Sequence, residues 1–340
     1  MNIVLTRLDR VGDLVLSTPA IASVRRSWPD AHVTIACSAY NAVVVRRNPD
    51  LDQVVVADEP PASVGRRFRG QCDVAIALAP RAADFALVGA TRAPVRVGYT
   101  YVRRRFARLT ARLYLTRLGI SEADPDLSER DPARIVRHEV EQVVDLVRLA
   151  GGTRFAKDLV LPIDDEDRAA VAGVPAAGIA VHLAARWFRD GSSFASTSRL
   201  IAELRRFGLP VVLTYGGDVR AEALLLRDAG LADALVGGLD FSRWAAVFEK
   251  SRIILTVDTG ATHVASAVGR PTVVLFEHRY FHLSSQEWSP YRVPSVCLRK
   301  PAGDAPAELA RSRASILAAV GELLDASALP GSSRASSQKI

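Results

Sequence analysis

The sequence predicts an α/β protein built from two doubly wound, Rossmann-like domains. In each half of the chain, short apolar and β-branched runs alternate with stretches whose apolar residues recur at helical spacing. This alternation is typical of parallel sheets covered by helices. A chain of 340 residues is longer than a single hydrophobic core usually supports, and a hydrophobic content of 49% is enough to form two cores.

The first domain is predicted over residues 1–160 and begins with a strand at residues 2–7. Further strands are predicted at residues 33–37, 54–57, 74–78 and 95–98, and helices at residues 14–28, 41–47, 61–69, 82–90 and 101–118. The last of these helices has apolar residues on one stripe (Phe106, Leu109, Leu113) and arginines on the next (Arg105, Arg108, Arg112). An acidic loop at 121–132, a helix at 134–150 and a short strand at 159–161 complete this half.

The second domain is predicted over residues 161–326, before a disordered tail at 327–340 rich in serine. The predicted strands cover residues 179–183, 210–214, 234–236, 253–257 and 272–276. The predicted helices cover residues 165–172, 197–207, 220–229, 242–250, 261–268 and 307–324. We expect two domains of the same architecture, with a cleft between them.

The composition excludes several classes of protein. The three cysteines, Cys37, Cys72 and Cys297, are widely spaced, which argues against a disulfide framework or a zinc site and fits a reducing cytosol. The six histidines show no metal-ligand spacing, so we expect no metal site. Arg7, Asp9, Arg10 and Asp13 interrupt the strand-like N-terminus early, so we do not expect a signal peptide there. No apolar run is long enough to span a membrane.

The basic charge of the chain is local. Residues 91–117 hold eight arginines and no acid, so that the rest of the chain, at +7 less these eight, has a formal charge of −1. Such a block suits an anionic partner, although it is also what a solvated basic face looks like. The candidate acceptor-binding residues are Arg66, Arg69, Arg96 and Arg103. No nucleic-acid motif is present, and few aromatic residues interleave with the arginines, so nucleic acid is not expected.

The stretch IILTVDTGATH, residues 253–263, organises the second domain. A buried strand, a tight turn at Asp258-Thr259-Gly260 and a helix of small residues follow one another, and ligands bind at such strand ends in parallel sheets. The first amides of the helix, with the Thr259 and Thr262 hydroxyls, suit a phosphate. Capping of the helix by Asp258 and Thr259 is the alternative. Likewise His263 either donates to a phosphate or packs in the core.

The loop after the first strand, RLDRVGD at residues 7–13, is the matching candidate in the first domain. It has neither the glycines of a dinucleotide fingerprint nor the terminal Gly-Lys-Ser/Thr of a P-loop. Asp13 at its end is either a helix cap or a general base that accepts a proton from an attacking hydroxyl.

Both loops resemble segments of a known family. RLDRVGDLVLSTPA, residues 7–20, resembles the opening of the bacterial heptosyltransferases, glycosyltransferase family nine, and residues 257–276 resemble their nucleotide-binding signature. His138–Gln142 is similar to the family's helix before the interdomain linker, and the matches keep the family's order over most of residues 1–325. The resemblance implies the GT-B fold. It also implies a protein that is located in the cytoplasm or peripherally at the inner membrane.

The resemblance also implies an activity and its residues. It implies a metal-free, inverting transfer of a heptose from ADP-L-glycero-D-manno-heptose, a substrate rather than a cofactor, to the lipopolysaccharide inner core or a similar anionic, lipid-linked acceptor. By match to the family, Asp13 is the catalytic base. Donor-binding positions are Asp258, Thr259, Gly260, His263 and the neighbouring Thr262. Leu239 matches an apolar residue beside adenine, unless it is plain core, and Gly216, which ends another strand, should line the same pocket.

Two positions depart from the family. The loop after residues 179–183 lacks the family's lysine on the diphosphate, which Arg186 or Arg189 would have to replace with a differently placed charge. Glu277 stands where the family has glycine and would repel a diphosphate unless it turns away. These departures keep two alternatives open: a transferase with another nucleotide sugar or a small secondary-metabolite acceptor, and a non-catalytic nucleotide-binding protein.

Overall fold

The computed structural model describes residues 1–326, which divide into two units, Met1–Pro162 and a second that begins at Ile163. The tail predicted at 327–340 lies outside the described residues. Each unit contains a six-stranded sheet in which every strand pairing is parallel, as the alternation of strands and helices predicts.

The sheet of the first unit has the order β3-β2-β1-β4-β5-β6. Its strands are β1 (Asn2–Arg7), β2 (His32–Cys37), β3 (Gln53–Val56), β4 (Val74–Ala77), β5 (Val95–Tyr101) and β6 (Arg117–Ser121). Its helices are α1 (Val11–Ser27), α2 (Pro61–Arg66), α3 (Ala82–Thr91), α4 (Arg105–Tyr114), α5 (Pro125–Arg130) and α6 (Glu139–Ala150). α1 is buried from Leu14 to Val24 because β1 and α6 pack against it.

The sheet of the second unit has the order β12-β11-β10-β7-β8-β9. Its strands are β7 (Ile179–Leu183), β8 (Val211–Tyr215), β9 (Ala234–Val236), β10 (Ile253–Val257), β11 (Thr272–Phe276) and β12 (Ser295–Arg299). Its helices are α7 (Asp165–Ala170), α8 (Phe194–Leu204), α9 (Arg220–Asp228), α10 (Phe241–Lys250), α11 (Gly260–Ala267), α12 (Phe281–Glu287) and α13 (Pro306–Ala326). The predicted α/β fold of two Rossmann-like domains is confirmed.

The strand order reverses at one place in each sheet. In the first unit the reversal lies between β1 and β4, and in the second between β7 and β10. Loops leaving the carboxyl ends of these central strands diverge and leave a crevice, which is where doubly wound sheets bind ligands. Asp13 lies at the start of the helix that follows β1, and Asp258 lies in the turn after β10, so the topology places both predicted sites at these crevices.

Two predicted elements around the arginine block were wrong. The helix predicted at 101–118 is instead the end of β5, the shorter α4 and the unpredicted strand β6, which pairs with β5 from Val97↔Arg117 to Tyr101↔Ser121. Pairing along the sheet edge overrides the helical periodicity of these residues. The loop predicted at 121–132 contains α5, which Asp124 caps by accepting hydrogen bonds from the amides of Asp126 and Leu127.

Two further predictions fail before the second unit. The helix predicted at 134–150 begins only at Glu139, where the His138 ring accepts from the Val140 amide and caps it. No strand forms at residues 159–161, because the Val160 amide donates to the Thr18 hydroxyl of α1 at 2.9 Å instead of to a neighbouring strand.

Candidate active site

A buried arginine organises the crevice of the first unit. The Arg7 guanidinium donates to a carboxylate oxygen of Asp9 at 2.8 Å, to one of Glu139 at 2.9 Å and to the Leu78 carbonyl. Asp13 lies 3.5 Å from its remaining nitrogen, and the Tyr99 hydroxyl donates to Glu139 at 3.0 Å. One guanidinium therefore faces three carboxylates, from the β1 loop, α1 and α6.

Asp13 lies in the first turn of α1 and does not cap it. The N-cap position is Arg10, which makes no side-chain capping bond. Burial, with smaller contributions from the charges of Asp9 and Glu139, raises the pKa of the Asp13 carboxyl to about 6 against the opposing effect of Arg7 and Arg10. With its side chain 21% exposed, Asp13 is reachable from solvent and has a pKa suited to a general base near neutral pH.

Asp84, at the start of α3, is a fourth carboxylate beside this cluster, and no sequence motif marks it. One oxygen accepts from the Thr6 hydroxyl at 3.1 Å and from the Leu8 amide at 3.2 Å. The other oxygen has no hydrogen-bond partner among the described residues. Burial, and then the charge of Asp9, raise the pKa of Asp84 to about 7.

We expect an Asp84→Asn variant to be more stable than the wild type at pH 8 and similar to it at pH 4. The raised pKa means that the folded state holds this proton more tightly than the unfolded state, so stability falls as the pH rises from about 4 to about 7. Asparagine cannot ionise, so the variant should recover about 2–4 kcal/mol at pH 8. Melting temperatures at both pH values test this, with the exposed Asp58→Asn as the control. Equal pH dependence in the variant and the wild type would contradict it.

The four arginines predicted to bind the acceptor divide into two pairs. Arg66 and Arg69 are exposed, and Arg66, the last residue of α2, donates to the Ser63 hydroxyl. Arg96 donates to the carbonyls of Tyr114 and Ala93, so it holds the end of α4 against β5. Arg103 forms ion pairs with Asp124 at 3.1 Å and Asp126 at 2.8 Å. Binding of an acceptor stays a prediction for all four.

The crevice of the second unit contains an open helix start. Thr259 occupies the N-cap position of α11, but its hydroxyl donates back to the Val257 carbonyl and makes no capping bond. Thr259 therefore does not cap this helix with its side chain, and the Asp258 carboxylate accepts from Arg186 instead. The Thr262 hydroxyl is buried without a hydrogen-bond partner among the described residues, and His263 is buried beside it. Backbone amides at such a helix start suit a phosphate.

Arg186 joins the two loops of this crevice. It lies in a short 3₁₀ turn, Ala185–Phe188, directly after β7, and its guanidinium donates to the carboxylate of Asp258 at 2.6 Å and to the Asp258 carbonyl. The Glu277 carboxylate lies 3.8 Å from its Nε. Arg189, the other candidate, is 60% exposed and lies 3.6 Å from Asp190. Arg186 is thus the guanidinium fixed next to the start of α11.

Lys300, which no sequence motif marks, supports this loop. Its side chain is fully buried, and its ammonium donates to the carbonyls of Arg186 at 2.7 Å and Arg189 at 2.8 Å. Both oxygens of Glu277 lie 3.4 Å from it. Burial lowers the pKa of Lys300, which Glu277 opposes. The Glu277 charge, expected to repel a diphosphate, therefore has a buried cation as its partner.

A Lys300→Met variant should lose about 2–4 kcal/mol of unfolding free energy. It removes the donor from two carbonyls and leaves the Glu277 carboxylate without its cation. Urea unfolding measures this loss. Lys250→Met is the matched control, because Lys250 also donates to two carbonyls, of Val171 and Ala172, but at a more exposed position where we expect less than about 1 kcal/mol. Equal losses would contradict a supporting role for Lys300.

Gly216 and Leu239 are the remaining residues that were predicted to bind the donor. Gly216 follows β8 at the carboxyl edge of the sheet, and its amide donates to the Leu183 carbonyl at the end of β7. Leu239 is half-buried and packs against a core cluster that includes Val212 and Val247. Leu239 therefore has the core contacts that were its alternative interpretation, and contact with adenine stays a prediction.

Neither a metal cluster nor a spanning helix is found in residues 1–326. No group of three or more histidine, cysteine or acidic side chains is arranged there to hold a metal ion. None of the helices in that range is both long enough and apolar enough to cross a bilayer.

Comparison with known proteins places the chain in a family. The model of glycosyltransferase family 9 (heptosyltransferase) matches residues 133–314, a range that contains Glu139, Arg186, residues 258–263 and Lys300 but not Asp13. Lipopolysaccharide heptosyltransferase 3 of Escherichia coli is 24% identical over 283 residues, which are 78% of this chain and 80% of that protein.

Two solved structures share the fold. A family 9 glycosyl transferase from Veillonella parvula has a TM-score of 0.77 at 18% identity, over 96% of this chain and 97% of its own. The ADP-heptose lps heptosyltransferase II of E. coli has a TM-score of 0.73 at 17% identity, over 97% and 100%. The likeness confirms the GT-B fold class. The chain therefore belongs to glycosyltransferase family 9, the heptosyltransferase family, and is a glycosyltransferase.

Proposed function

We propose that this glycosyltransferase moves a heptose from ADP-L-glycero-D-manno-heptose to a hydroxyl of an anionic, lipid-linked acceptor such as the lipopolysaccharide inner core. The observation that carries the proposal is the Asp13 carboxylate, which has a raised pKa, does not cap its helix and lies at the crevice of the first unit. Membership of the family and the names of its relatives support the donor and the acceptor. Because the acceptor is lipid-linked, we expect the enzyme to act at the cytoplasmic face of the inner membrane.

Asp13 acts as the general base in this reaction. Its carboxylate takes the proton of the acceptor hydroxyl as the oxygen attacks the anomeric carbon, and the bond from that carbon to the ADP oxygen breaks. Attack from the side opposite the leaving group inverts the anomeric configuration. A base contributes about 10²–10⁴-fold to such a step.

The second unit stabilises the departing ADP. The uncapped amides at the start of α11 and the Arg186 guanidinium supply positive charge where the diphosphate develops its negative charge. This arrangement gives the leaving group a stabilising environment from protein groups alone, so we propose that no metal ion is required.

Another nucleotide sugar is the second candidate. The loop after β7 has Ala184 and Ala185 and no lysine, and Arg186 shares its charge with Asp258 and Glu277. This charge distribution differs from the one that the family resemblance implies, so the resemblance alone does not fix which nucleotide sugar is the donor.

Binding of a nucleotide panel separates the two candidates. Thermal shifts are measured with ADP, UDP and GDP, and then with ADP-heptose and other sugars of the preferred nucleotide. A ligand present at 100 times its Kd adds about 2.7 kcal/mol of stability. We expect ADP and ADP-heptose to give the largest thermal shifts. In a separate activity assay we expect transfer of heptose from ADP-heptose to an inner-core oligosaccharide. Preference for UDP or GDP would favour the second candidate.

A further inference from the structure

Helix α4 presents an apolar stripe to solvent. Phe106, Leu109 and Leu113 have exposed fractions of 87%, 67% and 79%. At about 100° per residue, these three side chains share one face, and Ala111, which is buried, lies on the opposite one. The stripe of an amphipathic helix normally packs against its own core, but this one points away from it.

Arginines accompany the stripe along one side. Arg105, Arg108 and Arg112 repeat at the same spacing on the adjacent face, and Arg103 and Arg104 precede the helix. Arg103 is paired with Asp124 and Asp126. The three helical arginines are on a stretch, residues 91–117, that contains no acidic residue. The apolar stripe is therefore bordered by concentrated positive charge.

We propose that α4 docks on an anionic lipid surface, with the Phe106, Leu109 and Leu113 side chains between the headgroups and the arginines on the phosphates. A helix with aromatic and leucine residues on one face and arginines beside them lies in the plane of a membrane interface. Each arginine near an anionic surface adds attraction that falls with salt. Three side chains on a single helix are too small a surface for a stable protein interface, which buries about 1,200 Å² or more. The inference does not depend on which sugar is transferred.

Co-sedimentation of the full chain with vesicles tests the apolar part. Wild type should bind vesicles of phosphatidylglycerol and phosphatidylethanolamine, and the triple variant Phe106→Ser, Leu109→Ser, Leu113→Ser should bind about tenfold or more weakly. The matched control replaces three exposed apolar residues elsewhere: Leu127→Ser, Ile135→Ser and Leu225→Ser. Because all six side chains are exposed, both variants should fold, and the control should bind like the wild type. Equal loss in the two variants would overturn the assignment to α4.

The same assay tests the arginines. Arg105→Gln, Arg108→Gln, Arg112→Gln should weaken binding about tenfold or more, whereas the exposed arginines of the second unit, changed as Arg199→Gln, Arg206→Gln, Arg311→Gln, alter the net charge equally and should not. Phosphatidylcholine vesicles and high salt should both reduce binding by the wild type. Absence of binding to the anionic vesicles would overturn the proposal. Self-association without vesicles that the Phe106, Leu109 and Leu113 variant abolishes would also overturn it, and would show that the stripe binds a second copy of the chain.

Discussion

An Asp13→Asn variant is expected to transfer sugar about 10²–10⁴-fold more slowly than the wild type and to bind ADP with unchanged affinity. Asparagine has nearly the same shape and keeps the contact with Arg7, but it cannot accept the proton of the acceptor hydroxyl. Initial rates with saturating donor measure the loss, and calorimetric titration with ADP measures binding. A rate within fivefold of the wild type would remove Asp13 from the role of base.

The pH dependence of the rate is a second test of Asp13, and an Asp9→Asn variant is its matched control. Because Asp13 must be ionised to act, the rate should rise with pH through an apparent pKa of about 6 and then level off. Asp9, which contacts the same guanidinium, raises the pKa of Asp13. Asp9→Asn should therefore keep most of the activity and shift the rise to lower pH, an effect that a merely structural role of the loop would not produce.

An Arg186→Met variant is expected to bind ADP about 10–100-fold more weakly than the wild type. A hydrogen bond between a guanidinium and a phosphate contributes about 1.5–3 kcal/mol, and the variant also leaves the Asp258 carboxylate uncompensated beside the start of α11. Titration with ADP measures the affinity, and thermal melting of the unliganded protein shows whether the loop remains folded.

Two further variants make the result for Arg186 specific. Arg186→Lys keeps the charge but loses the planar fork, so we expect it to recover part of the affinity. Arg189→Met removes the more exposed candidate and should bind ADP like the wild type. Normal binding by Arg186→Met together with weak binding by Arg189→Met would show that the phosphate ligand is Arg189 instead.

The loops at the switch points could be predicted from the sequence because their signals are local. A run of β-branched residues, a turn and a helix of small residues identify the β10–α11 junction, and the loop at 7–13 is anchored to an equally clear strand. Family resemblance then adds roles for Asp13 and Asp258. The structure places both at the reversal of strand order, which only the complete sheet topology could show.

The supporting residues could not be predicted because their roles depend on contacts between distant segments. Lys300 meets Arg186 and Arg189 across more than 100 residues of sequence, and Asp84 meets Thr6 across 78. Neither has a distinctive sequence pattern. The α4 stripe shows the opposite limit: its periodicity is plain in the sequence, but periodicity does not determine whether the apolar face packs on the core or faces solvent.

The anomeric configuration of the product is the most direct test of the proposed reaction. Purified protein is incubated with ADP-heptose, an inner-core oligosaccharide and EDTA, and the new glycosidic linkage is assigned by NMR. With Asp13 as base and the start of α11 holding ADP, the product should form without a metal ion and have the configuration opposite to that of the donor. Retained configuration, or transfer only after a divalent metal is restored, would contradict this mechanism.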